Sequence, residues 1–572
     1  MSIKLVLSHY LAGLRERNEL DALLPELLTA MGHSVLSVAQ VGVNQAGVDV
    51  VSTYPDAEGK KVVYLFVIKF GDVGREAFFG GQQAIQPSIR EASGTYIRSR
   101  LQDEFRDCEK KIILLSNGLL KQEAQESWAA LTEEVASRPL QQLDFWGTYH
   151  LTRLIEEHIF NEALLLAKGT GDLRAALATL EQTDVAVRHF TKFVDACMAV
   201  PEEEGKLSGA SRTKYHLRRC AAAAMGWAVL LVWCRTEGNL KPGVVCGEYL
   251  LLRLWADSVR AGLENNRQVN ERLSYLLHLQ AESQLRYFSK LSPYLLNRQV
   301  MLGYRRETVF YLDLAFEELG RMGLTLLMLQ HLGEPGKYRS QVRELLARFL
   351  GEHSGCSLPN LDGQSIDMSL ALLALIGEGD SVSSKAVLLN TVNYFNVAVR
   401  SEHWLPVDTD MIEDAVSLQE GKVDPQAYFR TSTLFPLLGT FAALMGEQDC
   451  LDLLNEMAVS KLKDVTLERW YPSVELETLT GSGKHFGSIG ISRAVAKLRS
   501  SPADEQAASA KLPDGAADNE DFKWTNSPFE VLSAVSARFY RHPVPIGYLI
   551  KKASPASAAA PAESQSVADA GR

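Results

Sequence analysis

Two short strings hold the side chains best placed to do chemistry. GVDVV carries Asp49 and LFVIKFGD carries Lys69, and the turn-forming YPDAEGK lies between the runs that contain them. A carboxylate is a hard oxygen donor for a divalent cation, and an ammonium group donates hydrogen bonds to water or phosphate oxygens. Side chains alternate in direction along an extended run, so an acid at the start of one strand and a lysine at the end of the next can face one space. Asp21 lies upstream, Asp72 and Glu76 follow Lys69, and Val67, two before the lysine, offers no oxygen.

Other strings carry less. The amides of Gln82, Gln83 and Gln86 could orient a phosphate or a water, or could form the solvated face of a helix. Arg90, Arg98, Arg100 and Arg106 could meet phosphates, but Glu91, Asp103, Glu104 and Asp107 offset them, which favours a salt-bridged surface. GSGKHFGSIG, residues 481–490, fails as a phosphate-binding loop, because Thr478 stands where the first glycine is needed and His485 follows Lys484. KYHLRR, with His216, Arg218 and Arg219, reads as a solvated helix start. The seven cysteines form no CxxC pair, which favours reduced thiols over a disulfide framework or a cysteine zinc site.

These residues need elements to position them. Apolar residues recur at helical spacing between Leu11 and Met31, and Gly32 follows as a C-terminal cap. Ser34 to Val41, Gly47 to Thr53 and Lys61 to Phe70 read as three strands of a meander. A helical stretch from about Gln82 to Asp107 leads to the strand KIILLSN, a helix from Gln122 to Ala136 and a last strand at QQLDFWG. The order is α-β-β-β-α-β-α-β.

Beyond residue 160 strand signals nearly vanish, and residues 161–500 read as a large helical domain punctuated by glycine and proline. Residues 501–521 have a linker's composition, the aromatic segment 522–552 is expected to dock on the body, and 553–572 read as disordered. A chain of 572 residues exceeds one domain, and a net charge of −11 excludes nucleic-acid binding through overall charge, leaving only a local basic groove. The N-terminus has no signal-peptide pattern, and the apolar run Ala221–Trp233 is shorter than the ~20 residues that span a bilayer. A cytoplasmic location with no membrane partner is expected.

In their order, LDALLPELLTAMGHSV, GVDVV, LFVIKFGD and the glutamine-rich helix resemble the N-terminal half of Mrr-type restriction endonucleases, of the PD-(D/E)XK superfamily, over residues 12–115. The resemblance implies a restriction-endonuclease-like α/β domain over residues 1–160, a central mixed sheet flanked by helices, followed here by a large all-α domain. It implies that Asp49 and the backbone carbonyl of Ile68 ligate Mg²⁺, or Mn²⁺ in its place, that Lys69 serves the attacking water, and that Asp21 assists. Gln82, Gln83, Gln86 and Arg90 would lie toward the DNA. The family has Glu, Asp or Gln where this chain has Val67; Asp21, Asp72 or Glu76 could supply the missing oxygen. Small nuclease domains joined to helical domains resemble effectors of bacterial antiphage defence. The leading expectation is therefore a metal-dependent DNA endonuclease, with DNA, other defence proteins and a second copy as partners. Its rival is a catalytically inactive nuclease-fold subunit for DNA binding or assembly; a helical scaffold with an unrelated α/β cap ranks third.

Overall fold

The computed structural model describes residues 3–38, 46–80, 84–158, 169–200, 209–305, 308–401, 406–409, 411–473, 475–479, 491–514, 516–517 and 519–553. Two compact units divide the chain between Asn239 and Leu240. This boundary lies well beyond residue 160, where strand signals end, because the three helices that follow belong to the first unit.

The first unit begins with α1 (Ile3–Gly13), a π-helical turn (Glu16–Leu20) and α2 (Asp21–Ala30). The single helix expected from Leu11 to Met31 is thus broken after Leu14. Gly32 ends α2 as anticipated: its φ is +89°, and the His33 amide reaches back to the Leu28 carbonyl at 2.8 Å, closing a left-handed cap. β1 (Ser34–Ser37), β2 (Val50–Pro55) and β3 (Lys61–Lys69) follow. After α3 (Arg75–Phe79), α4 (Ile85–Glu91), a second π turn (Ala92–Tyr96) and α5 (Ile97–Ser99) come β4 (Glu109–Ser116), α6 (Gln122–Ala136), β5 (Gln141–Trp146) and α7 (Thr148–His158). The stretch expected as one helix to Asp107 is therefore several short pieces.

The five strands lie in the order β1-β2-β3-β4-β5. The first three are antiparallel, and β3-β4-β5 are parallel, so the sheet is mixed as expected. One face, with Val51, Leu65, Val67, Ile112 and Leu114, shares an apolar core with Phe78 of α3, Ile89 of α4 and Leu131 of α6. α2 packs on β2 and α7 on β5. Val63, Leu65, Phe66 and Leu114 are fully buried, which explains why the β3 and β4 runs are apolar almost throughout rather than alternating.

α8 (Thr170–Ala178), α9 (Thr183–Met198) and α10 (Gly209–Glu237) complete the unit, and α10 packs on α1. α10 is long and apolar enough to cross a membrane by those criteria alone, but 78% of its most apolar window is buried inside the protein. The apolar run at Ala221–Trp233 is accordingly a core helix segment. His216 and Arg219, expected on a solvated helix start, are buried in α10 just ahead of that run.

The second unit, from Leu240, is mostly helical, as expected, but not wholly. A three-stranded sheet joins β6 (Thr431–Ser432), β7 (Thr466–Pro472) and β8 (Ile491–Val495). Residues 501–521 are not a flexible linker: they contain the helix Pro502–Ala510, where Ser501 caps the Asp504 amide and the wholly buried Glu505 pairs with Arg469. SPADE is a helix-start signature of capping serine, proline and first-turn acids, and its small-residue composition masked that. In the aromatic segment the Phe529 ring lies 5.3 Å from that of Trp255 and Phe539 5.6 Å from Tyr249. Residues 554–572 and the glycine string 481–490 lie outside the described residues. None of the seven cysteines is in a disulfide.

Candidate functional site

Asp49 enters the sheet just ahead of β2. Gly47, two residues before it, has φ +80°, and a Cβ there would lie 2.4 Å from the Ser88 carbonyl of α4. Only glycine permits both that backbone and that approach, so the first residue of the GVD string sets where the acid begins its strand. The Asp49 amide donates to the Phe66 carbonyl at 2.8 Å, and its carboxylate Oδ2 accepts from the Ile68 amide at 2.7 Å. Asp49 is thereby fastened to β3 one residue before Lys69.

Lys69 closes β3, paired with Ser116 in parallel register. The chain beyond it is held by the end of β4. The Gly71 amide donates to Asn117 Oδ1 at 2.8 Å, and Ser116 Oγ donates to the Gly71 carbonyl at 2.6 Å. Asn117 Nδ2 donates in turn to the carbonyls of Leu11 and Leu14 at 2.8 and 2.9 Å, at the end of α1. One buried amide therefore joins the lysine strand to the break in the first helix. The adjoining Gly118 admits no side chain, since a Cβ would fall 2.2 Å from the Gly71 carbonyl.

That break brings the acids of the first helix toward Asp49. The π turn packs on β3, and the charges of Glu16 and Asp21 act on Asp49. Burial pushes the Asp49 carboxyl up to about 6, while the Ile68 amide and the Lys69 charge pull it down and Glu16 and Asp21 push it further up. Asp21 Oδ1 is buried without a hydrogen-bond partner among the described residues. Glu19 turns elsewhere, accepting from the Arg15 amide at 2.7 Å and pairing with Arg218 of α10.

The residues singled out in the sequence thus divide. Asp49 meets Ile68 beside Lys69, and the charges of Lys69 and Asp21 reach it through space. It is the amide of Ile68, however, that meets the Asp49 carboxylate. Val67 is 1% exposed, within the apolar core. Asp72 is engaged away from the site, accepting from the Leu119 amide at 3.0 Å with Lys121 at 3.6 Å, and Glu76 is exposed on the short α3. Arg90 is held on the surface by Glu134 through both carboxylate oxygens, with contacts of 2.8–3.1 Å, so it is a bridge between α4 and α6. Gln86 is half-buried on α4; Gln82 and Gln83 lie outside the described residues.

Glu16 and Asn117 were not evident in the sequence. Glu16 sits in the charged string RERNEL, which resembles any solvated helix face, and only the π turn distinguishes it. Asn117 had a usable signal, a lone amide at the end of an apolar parallel strand, where sheets of this type place polar groups.

No family model matches this chain, and comparison with curated proteins and with solved structures gives no significant match. Chemically, the site offers one raised carboxylate, two further acids within electrostatic reach and a lysine. Among the described residues no three His, Cys, Asp or Glu side chains already converge as a metal-binding group. What the residues do fit is a hard cation held by one or two carboxylates and otherwise by water and phosphate oxygens, the usual manner for Mg²⁺. The orphaned Asp21 oxygen is the observation in favour.

Proposed function

We propose that the first unit is a metal-dependent phosphodiesterase acting on DNA, of the kind that serves as an effector in bacterial defence. The observation that carries this reading is the Asp49 carboxylate, largely buried and held by the Ile68 amide one residue before Lys69 at the end of β3, with the charges of Glu16 and Asp21 within electrostatic reach. Like charges raise one another's proton affinity, and the same field attracts a divalent cation. Asp49 and Asp21 would hold the cation, whose chemistry is to polarise a phosphate oxygen and acidify water. Lys69 donates toward the attacked phosphate or the water, and the Ile68 amide orients Asp49. The strand order and mixed pairing support a restriction-endonuclease-like sheet for this unit.

Nicking of supercoiled plasmid with Mg²⁺ or Mn²⁺ tests the reading. Asp49→Ala and Lys69→Ala should each abolish nicking while leaving the circular-dichroism spectrum unchanged, and DNA retention should weaken steeply with salt. Unaltered nicking by Asp49→Ala would sink it.

Burial of Val67 in the apolar core favours a second reading, a nuclease fold that binds DNA or assembles with a partner without cutting. In that case no metal supports nicking, and phage protection survives Asp49→Ala.

A further inference from the structure

A half-open cleft of about 430 Å³ lies within the first unit, bounded by the end of α1 and the turn after it, the end of α9 and the first half of α10. Pockets for small ligands run from ~300 to 1,000 Å³. Among the described residues, Arg15, Arg218 and Arg219 line it with one carboxylate, Glu19, so the described lining carries an excess of positive charge. Arg15 and Arg218 are near enough that the charge of Arg15, after burial, holds Arg218 below the usual guanidinium range. Arg218 spends its pairing on Glu19, while Arg15 makes no ion pair among the described residues. Arg219 is 7% exposed, donates to the Met198 carbonyl at 2.6 Å and lies 5.2 Å from the ring centre of Tyr215. Tyr10 supplies a second aromatic wall.

Among the described residues the Arg15 guanidinium has no carboxylate of its own beside the Arg218–Glu19 pair, so the two neighbouring guanidinium groups are under-neutralised. A dianionic phosphate satisfies both, because the guanidinium fork matches phosphate oxygens. An aromatic ring with a guanidinium on its face is a surface for a flat, polarisable body. A half-open cleft between helices, with Arg219 buried at its wall, suits a small molecule better than the broad flat face that a duplex needs.

We propose that this cleft binds a nucleoside phosphate, the phosphate between Arg15 and Arg218 and the base along the Tyr215 side. Binding displaces Glu19 from Arg218. The proposal does not depend on the nuclease reading, because its readout is binding without DNA or metal.

Calorimetric titration of the full chain with 5′-AMP, and separately with inorganic phosphate and with adenosine, tests it. 5′-AMP should bind once per chain and more tightly than either fragment. Arg15→Gln and Arg218→Gln should each weaken it on the order of tenfold, the worth of a charge-assisted contact. Glu19→Gln, which removes the competing carboxylate, should tighten it. Arg15 is exposed, so its replacement keeps the test alive should the Arg218 variant fail to fold. No binding of 5′-AMP by the unaltered chain, or binding indifferent to Arg15→Gln, overturns the proposal. So does loss of duplex-DNA retention in these variants without any effect on 5′-AMP, which would give the arginines to the DNA backbone.

Discussion

The Ile68 amide and the Asp49 carboxylate meet at 2.7 Å, and this bond fixes the acid to the strand that ends in Lys69. It favours the ionised form, yet burial outweighs it and carries Asp49 from its ordinary 3.8 to about 6. The folded protein therefore holds this proton more tightly than the unfolded chain does. Stability contributed by the protonated group is complete below about pH 4 and is lost as pH rises through about 6. Asp49→Asn, whose amide oxygen can still accept from Ile68, should be more stable than the parent at pH 8, by roughly 3 kcal/mol. Melting curves at pH 8 and pH 4 check this: the gap should close at the lower pH. A gap of equal size at both would mean that the charge is not its cause.

The same titration governs cation binding. Proton and metal compete for Asp49, so affinity for Mn²⁺ should climb as pH rises through about 6 and level off above it. Titrations at pH 5.5 and 7.5 would show the difference. Asp49→Ala should remove the pH dependence together with most of the affinity.

In the second unit, Arg321 has a side chain 1% exposed and meets Glu248 at 3.3 Å and Glu317 at 3.1 Å. Tyr287 donates to the neighbouring Glu318 at 2.8 Å. The cluster spans the helices Lys241–Arg260, Arg267–Leu295 and Thr308–His331. Arg321→Met leaves the buried Glu248 and Glu318 without their cation, while Glu317 keeps Lys241 at 2.6 Å, and the expected loss is about 3–5 kcal/mol. Adding Glu248→Gln should return part of that loss in chemical denaturation, because the stranded charge and not the missing packing is what costs.

The order of elements in the first unit is legible because each strand is a run of β-branched and apolar residues between turn formers, and the helix Gln122–Ala136 falls where its sequence begins and ends. Asp49 and Lys69 were legible as a pair for the same reason. The broken first helix was not. Leu11 and Leu14 keep helical spacing before the π turn, and Leu20, Leu23, Leu24, Leu27 and Leu28 keep it from the turn's last residue onward, so the two stretches read as one helix. The extent of the first unit was hidden too, because helices that fold back on α1 have the same composition as those of the second unit. The helix after Ser501 was masked by alanine, serine and proline, residues shared by linkers and helix starts.

Asn117 gives the site a test that touches neither acid. It donates to Leu11 and Leu14 and accepts from Gly71, joining the end of α1 to the segment after Lys69. Asn117→Ala strands these buried backbone groups and should cost roughly 2–4 kcal/mol. Asn117→Asp keeps the acceptor but sets a carboxylate against two carbonyls, so it should be at least as harmful. If the clamp positions the site, residual nicking in Asn117→Ala should fall further than the unfolded fraction accounts for at the assay temperature. Nicking that tracks the folded fraction alone would make Asn117 purely structural.

Val67 separates the two readings of function. It lies on the same face of β3 as Lys69, two residues away, and packs with Val48, next to Asp49 in the chain. A glutamate there sits where an acid could meet Asp49, but its carboxylate starts in an apolar core. Without metal, Val67→Glu should lose stability by several kcal/mol, roughly, as its pKa rises and the group stays protonated. For a working site, millimolar Mg²⁺ or Mn²⁺ should restore much of the melting temperature, because a second carboxylate supplies the charge and the oxygen that the parent site lacks. Nicking should rise with it. For a silent nuclease fold, the variant melts low at every metal concentration and nicks nothing. Melting curves of parent, Val67→Glu and Val67→Gln with and without Mn²⁺ decide between them. Glutamine matters because it has the glutamate's size without its charge, so restoration confined to glutamate assigns the effect to a bound cation, and equal behaviour of the two variants assigns it to packing.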